Sequence, residues 1–361
     1  MKQYFKYILV IFTYFIPFYN KKTNIFVSIL NKNNTTGPSR FIYNLEKGFN
    51  NNNLKIVRSL FGNCKRALII SSTLPLFYKF CRLFKIKTIL RIDGFSIPEY
   101  YNNQKYVNRD KRIFTIERMK TNQEIQYGLA VSDYVIFQSI FSYKMSSKYL
   151  FNRVDNFKII YNGVNTNHFI PIKTTPNSEL ILSVHGTLRD IDIIKCSLEI
   201  FKSLKNIMNL KIHYIGTISE NIISVITQFI KINKYSLHDI HITGQLSYDK
   251  LPEQLSKCDI SLHLTSGDSC PNAVLENLSC GVPVIYQKFG GTAELVGSAG
   301  VCINTKPYYY GQEVINQVMN AVLKILSNYQ TFSEIARERA IKNFKIETMS
   351  SNYADIFNEI E

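Results

Sequence analysis

Negative charge is scarce in this chain: Glu46 is its first acidic residue, and 27 acidic residues stand against 43 basic ones, a formal net charge of +16. Such a balance invites a nucleic-acid or anionic-membrane partner. There is, however, no arginine-rich run and no nucleic-acid motif. The lysines come with abundant Asn, Ile, Tyr and Phe, a composition that an AT-rich coding sequence produces by itself. Nucleic acid is therefore not an expected partner, whereas an anionic membrane surface is. The seven cysteines, at 64, 81, 196, 258, 270, 280 and 302, form no C-x-x-C pair and have no His-rich neighbourhood. This excludes a disulfide framework and a zinc site, and favours a reducing, cytoplasmic compartment. No apolar run reaches spanning length either. The uninterrupted part of the first segment, Tyr7 to Ile16, is about half of what a membrane-spanning helix needs. No small-residue cleavage site follows it, which argues against a removed signal peptide. Residues 1–20, with Lys2 and Lys6 among them and Lys21 and Lys22 following, read as a basic apolar segment. It is either an interfacial helix, peripheral on the membrane, or elements packed on the first domain, with a membrane anchor as the remaining alternative.

What the chain has is length and alternation. A length of 361 residues and a hydrophobic share of 45% suit two globular domains, each with its own core. Asn24 to Leu30 reads as a buried strand, followed by a loop ending in Gly37 and a helix from Pro38 through Gly48. Strand, glycine loop and helix is how a Rossmann-like half begins. Further strands are expected at 67–72, 88–92 and 133–138, with Ser139 capping the next helix. Residues 170–178 hold Pro171, Pro176 and several threonines and suit an interdomain linker. Leu180 to Val184 restarts as a strand, with a loop at 185–190 and a helix from about 193 to 204. The alternation then continues to 303, which predicts an α/β fold with a parallel sheet and ligands at the carboxyl ends of its strands. The segments 314–326 and 331–358 are helical by pattern. Tyr308, Tyr309 and Tyr310 read as an exposed aromatic run.

The stretch that carries chemistry is Ser266-Gly-Asp268-Ser-Cys270-Pro271-Asn272-Ala273-Val-Leu-Glu276-Asn-Leu-Ser-Cys-Gly281-Val-Pro-Val-Ile285. Pro271, with no N–H, suits the start of a helix, and Gly281 suits its left-handed stop, so the helix spans about 271–280. In a continuous helix Asp268 and Glu276 would stand ~12 Å apart along the axis. Gly267 and Pro271 break that continuity. The loop can instead fold Asp268 back over the amides at the helix start, whose partial positive charge attracts a phosphate or a sugar oxygen. Two carboxylates around a small anion-binding mouth result.

Asp268 to Glu276, then Leu278-Ser-Cys-Gly-Val-Pro-Val-Ile285, then Gly290-Gly291-Thr-Ala-Glu294, resembles the Glu-x7-Glu region of glycosyltransferase family 4. The run Ile159-Ile-Tyr-Asn162-Gly163-Val-Asn-Thr-Asn-His168-Phe is a second match to that family, with Asn162-Gly163 as a structural turn. The resemblance implies a GT-B fold: two Rossmann-like domains facing a central cleft, with a C-terminal helix crossing back to the first. On that basis the domains are expected at 21–170 (acceptor side), 179–343 (nucleotide-sugar-binding) and 344–361 (crossover helix), with 171–178 as the linker. The implied activity is retaining, metal-independent transfer of a sugar from a UDP- or GDP-sugar to a glycan, lipid or protein-linked acceptor, without a cofactor. By the same resemblance Glu276 holds the ribose hydroxyls and Asp268 the hydroxyls of the transferred sugar. Cys270, Pro271, Asn272 and Ala273 face the sugar or phosphate, Glu294 joins the donor site, and Gly37 lets the backbone approach the phosphates.

Three departures from the family pattern are visible. The first acid is Asp268 rather than Glu, which withdraws the carboxylate by one methylene. Asp93, in Arg91-Ile92-Asp93-Gly94, stands where relatives carry His; it can hydrogen-bond a donor or acceptor hydroxyl, or merely start an Asp-Gly turn. Thr187 and Asp192 stand where the family has a phosphate-binding Arg and Lys. Arg189 and Lys195 are the nearby cations able to stand in for them, Arg189 first, because its planar fork can hold two phosphate oxygens. Histidines 185, 213, 238 and 241 form no ligand cluster and read as structural or exposed. Two other readings follow from the departures: a catalytically inactive GT-B module that binds sugar, nucleotide or membrane, and a GT-B nucleotide-sugar epimerase.

Overall fold

The computed structural model describes residues 24–28, 37–49, 54–57, 64–97, 116–173, 175–176 and 178–360. The basic apolar segment 1–20 lies outside the described residues. Two compact units form. The first takes the described residues up to 97, those from 116 to Gly163 and those from Ile346 on; the second runs from Val164 to Lys345.

In chain order the first unit contains β1 (Asn24–Val27), α1 (Gly37–Phe49), β2 (Lys55–Val57), β3 (Arg66–Ile70), α2 (Pro75–Leu83), β4 (Lys87–Ile92), α3 (Ile116–Val131), β5 (Tyr134–Phe137), α4 (Ile140–Tyr149) and β6 (Phe157–Ile159). The six strands are all parallel, in the order β2-β1-β3-β4-β5-β6. Parallel neighbours need crossover connections, which bury both faces of a sheet, and β3 is accordingly buried along its whole length. Ser139 accepts from the Ser142 amide at 3.1 Å and caps α4. The C-terminal helix Ile346–Glu359 completes this unit. Its Tyr353 lies 5.3 Å from Phe41 and its Phe357 6.0 Å from Phe49, ring centre to ring centre, in one core with Ile25, Leu68 and Ile136. Each aromatic pair adds ~0.5–1.5 kcal/mol beyond its burial.

The second unit contains β7 (Leu180–Leu188), α5 (Ile191–Lys205), β8 (Leu210–Ile218), α6 (Glu220–Asn233), β9 (Ile240–Gly244), α7 (Leu251–Ser256), β10 (Ile260–His263), α8 (Asn272–Ser279), β11 (Val284–Gln287), α9 (Thr292–Val296), β12 (Gly300–Ile303), α10 (Gln312–Ser327) and α11 (Tyr329–Asn343). Its parallel sheet has the order β12-β11-β10-β7-β8-β9. The chain winds outward from β7 to β9, then returns to lay β10 on the other side of β7. That reversal between β7 and β10 is the topological switch point, where a doubly wound sheet leaves a crevice outside the carboxyl ends of its strands.

β7 does not end at Val184 but pairs with β8 as far as Leu188 opposite Ile218, so the loop at 185–190 shrinks to Arg189 and Asp190. Gly186 opposite Gly216 makes this possible, since a Cβ at Gly216 would run into the Gly186 carbonyl. A glycine within one strand reads locally as a turn; that its partner strand also places a glycine there is visible only after pairing.

Candidate active site

α8 is delimited by the local signals of its sequence. Pro271, with φ −67° and ψ 120°, precedes its first residue as the cap rather than as the first helical position. At the other end Gly281 takes φ +70°. Its N–H donates to the Leu278 carbonyl at 3.0 Å and that of Val282 to the Asn277 carbonyl at 2.9 Å, the paired bonds that close a helix through a left-handed residue. Pro283 follows and prevents continuation.

The loop entering α8 is tied to the loop after β11. The Gly267 amide donates to the Phe289 carbonyl at 2.7 Å, and that of Gly291 to the Asp268 carbonyl at 2.7 Å. Asp268 folds back over amides just before the helix rather than those of its first turn: Cys270 N donates to Asp268 Oδ1 at 3.2 Å. Part of the Asp268 surface remains accessible, but the atoms packed round its carboxyl push its pKa from 3.8 to about 6. Desolvation by burial is the cause, offset in part by the Cys270 and Ser269 amides. Tyr308 is not exposed as its sequence neighbourhood suggested. Its amide donates to Ser266 Oγ at 3.1 Å, and its hydroxyl lies where a Cβ at Gly267 would project. Ser266 also hydrogen-bonds Gln287, whose Nε2 donates to the Tyr309 carbonyl at 3.0 Å. Of the three tyrosines only Tyr309 is exposed.

Glu276 is in the second turn of α8 and 7% exposed. His185, on β7, stands with Nε2 3.5 Å from Glu276 Oε2. Cys270 and Pro271 are buried, and Asn272 and Ala273 are partly exposed. The Ala273 methyl lies 3.7 Å from where a Gly186 Cβ would sit, which sets the first turn of α8 against the end of β7. Asp268, residues 270–273 and Glu276 thus share one loop and helix start at the switch point.

The other expected donor residues lie elsewhere in the same unit. Arg189 follows β7 and Lys195 lies one turn into α5; both are exposed and neither has an ion pair among the described residues. Asp190 Oδ1 accepts from the Asp192 amide at 3.1 Å and caps α5. Glu294 is on α9, partly exposed, and its backbone carbonyl accepts from Arg339 Nη2 at 2.9 Å. Gly37 and Asp93 belong to the first unit. Gly37 is the exposed first residue of α1, and a Cβ added there would meet no atom within 4 Å. Asp93 is only 12% exposed by its side chain; its Oδ1 is ion-paired with Arg91 and accepts from Gln138 Nε2 at 3.1 Å. Arg91 in turn donates to Asn162 Oδ1 at 2.8 Å and stacks 3.7 Å over the Phe41 ring, so Asn162 has a structural role. Among the described residues no three His, Cys, Asp or Glu side chains gather where a metal ion could sit, and no helix is long and apolar enough to cross a membrane.

His185, which reads from the sequence as structural or exposed, is brought against Glu276 by the fold. Being the residue before Gly186 was its only local signal, and that signal suggested a loop.

Two units with six-stranded parallel sheets, the second offering an acidic loop and helix at its switch point, are those of the GT-B fold. The solved structures with this fold include sucrose-phosphate synthase from Thermosynechococcus elongatus, 13% identical with a TM-score of 0.73 over 94% of this chain and 99% of that one. HepE from Anabaena, in complex with UDP and glucose, is 14% identical with a TM-score of 0.69 over 94% of this chain and 100% of that one. A glycosyltransferase from Rickettsia africae is 18% identical with a TM-score of 0.63 over 95% and 99%. No curated protein sequence matches the chain. Residues 180–328 match the family model described as Glycosyl transferases group 1.

Proposed function

We propose that this chain is a glycosyltransferase and moves a sugar, with retention of anomeric configuration and without a metal, from a UDP- or GDP-sugar to a glycan, lipid or protein-linked acceptor. The observation that carries the reading is the common placement of Asp268 and Glu276 on the loop and helix that open the switch point of the second unit. Glu276 accepts from the ribose hydroxyls and Asp268 from the hydroxyls of the transferred sugar, since an ionised carboxylate is an acceptor only. Residues 270–273 face the sugar or phosphate, and Glu294 completes the donor side. Departure of the diphosphate needs positive charge, supplied by Arg189 first and Lys195 second. Retention without a second nucleophile fits attack from the face of the leaving group, with the leaving phosphate taking the acceptor proton. The second unit is the donor domain. The first supplies the acceptor side, including Asp93, with Gly37 reaching the donor phosphates. HepE bound to UDP and glucose supports UDP-glucose as a donor to test.

The test is a donor screen with UDP-, GDP- and ADP-sugars, reading the melting temperature and the slow release of nucleoside diphosphate. One donor should both stabilise the protein by mass action and be hydrolysed. A chain that answers to none is an inactive binding module, the second reading, which one observation favours: Asp192 lies in the first turn of α5, and by the family resemblance Thr187 and Asp192 stand where a phosphate-binding Arg and Lys are expected. Peripheral attachment to anionic lipid through residues 1–20 belongs to the same proposal; their deletion should lower liposome binding, and an unchanged distribution would refute it.

A further inference from the structure

β7 turns Leu180, Leu182 and Val184 into the core and so turns His185 to the opposite face, toward α8. There the ring meets two side chains of that helix: Nε2 is 3.5 Å from Glu276 Oε2 and Nδ1 is 3.5 Å from Asn277 Nδ2. The orientation of the Asn277 amide follows from its other contact. The atom 2.8 Å from the Ala273 carbonyl oxygen has to be a donor, hence Nδ2. Its second N–H is then directed at His185 Nδ1, which accepts. The ring proton of the neutral imidazole therefore lies on Nε2, facing the Glu276 carboxylate. The side chains of His185 and Glu276 are 6% and 9% exposed, so an N–H aimed at a carboxylate acts with little screening by water.

We propose that His185 is a positioning residue for Glu276, its Nε2–H holding the carboxylate in the orientation that meets the ribose hydroxyls of the nucleotide donor. The inference rests on the reading of Glu276 as the ribose ligand. His185 acts through that carboxylate. Asn277 acts one step further back by selecting the tautomer, as the partner on the far nitrogen of a histidine does in other sites.

The experiment uses the full chain and two probes: whichever of UDP, GDP and ADP binds most tightly, and the 2′,3′-dideoxy counterpart of the same nucleotide. Dissociation constants are measured for the wild type, His185→Phe, His185→Gln and Glu276→Gln. His185→Phe should weaken the ribonucleotide about tenfold, the range of one lost hydrogen bond to a charged group, and leave the dideoxy ligand within about twofold. His185→Gln, which again offers an N–H, should restore most of the loss. If His185→Phe shows no cooperative melting, Asn277→Leu, which releases the tautomer, carries the same comparison. Equal losses for both ligands in His185→Phe, with Glu276→Gln losing its preference for the ribonucleotide, would overturn the positioning role and leave the Glu276 reading standing; a Glu276→Gln variant that keeps the wild-type preference would overturn both. A wild type that binds no nucleoside diphosphate, or binds both forms equally, would overturn the reading of Glu276 and this inference with it.

Discussion

The Cys270 amide donates to Asp268 Oδ1 across 3.2 Å, and it does so at a carboxyl whose burial pushes its pKa up to about 6. The amides favour the ionised form and desolvation favours the protonated one. Desolvation wins. A carboxyl proposed to accept from sugar hydroxyls is therefore about half protonated near pH 6.

Donor turnover should report this directly. With Asp268 required as an acceptor, kcat/KM for donor hydrolysis is expected to be level above about pH 7 and to fall about tenfold per unit below about pH 6. A profile that stays level to about pH 5 would contradict the role given to Asp268.

The same shift acts on stability with the opposite sense. The folded pKa is raised from 3.8, so the folded state binds more protons than the unfolded one between that value and about 6. Stability accordingly declines as pH rises through the window, and the cost is complete above it. Asp268→Asn should raise the melting temperature at neutral pH, with a gain of roughly 1–3 kcal/mol, while losing transfer. Unchanged melting with activity lost would show that the carboxylate is not destabilising where it sits.

Glu276→Gln keeps the shape of a buried side chain that is 7% exposed and removes its charge. Turnover should drop ~100-fold or more, with cooperative melting preserved. Glu276→Ala and Asp268→Ala should likewise abolish transfer in folded protein. Full activity in these variants would remove both carboxylates from the site.

Arg189 and Lys195 are both exposed, but Arg189 adjoins the end of β7 and Lys195 is a turn further along α5. Arg189→Ala should weaken nucleoside diphosphate binding about tenfold, and Lys195→Ala about threefold or less, by calorimetry at fixed salt. The reverse order would assign the phosphate to Lys195.

Gly281→Ala tests the stop of α8. At φ +70° an added Cβ is strained, and it would stand 3.0 Å from Ser333 Oγ and 3.3 Å from Pro171 Cγ. A loss of about 1–2 kcal/mol in denaturant unfolding is expected. A neutral result would mean that the helix end relaxes without the left-handed residue.

How much of this was legible in the sequence depends on the range of the forces involved. The alternation of strands and helices, the capping of α8 by Pro271, its stop at Gly281 and the return of Asp268 toward nearby amides all arise within a few residues, where a missing N–H or an allowed positive φ acts directly on the neighbouring backbone. Those the sequence by itself determined. The meeting of His185 with Glu276, the extension of β7 to Leu188, the capture of Asp93 by Gln138, and the seating of Tyr308 against Gly267 join residues far apart along the chain. Only the tertiary structure decided them, because which side chains face one another across a parallel sheet and its covering helices is set by strand order and register, and neither is encoded in any one segment.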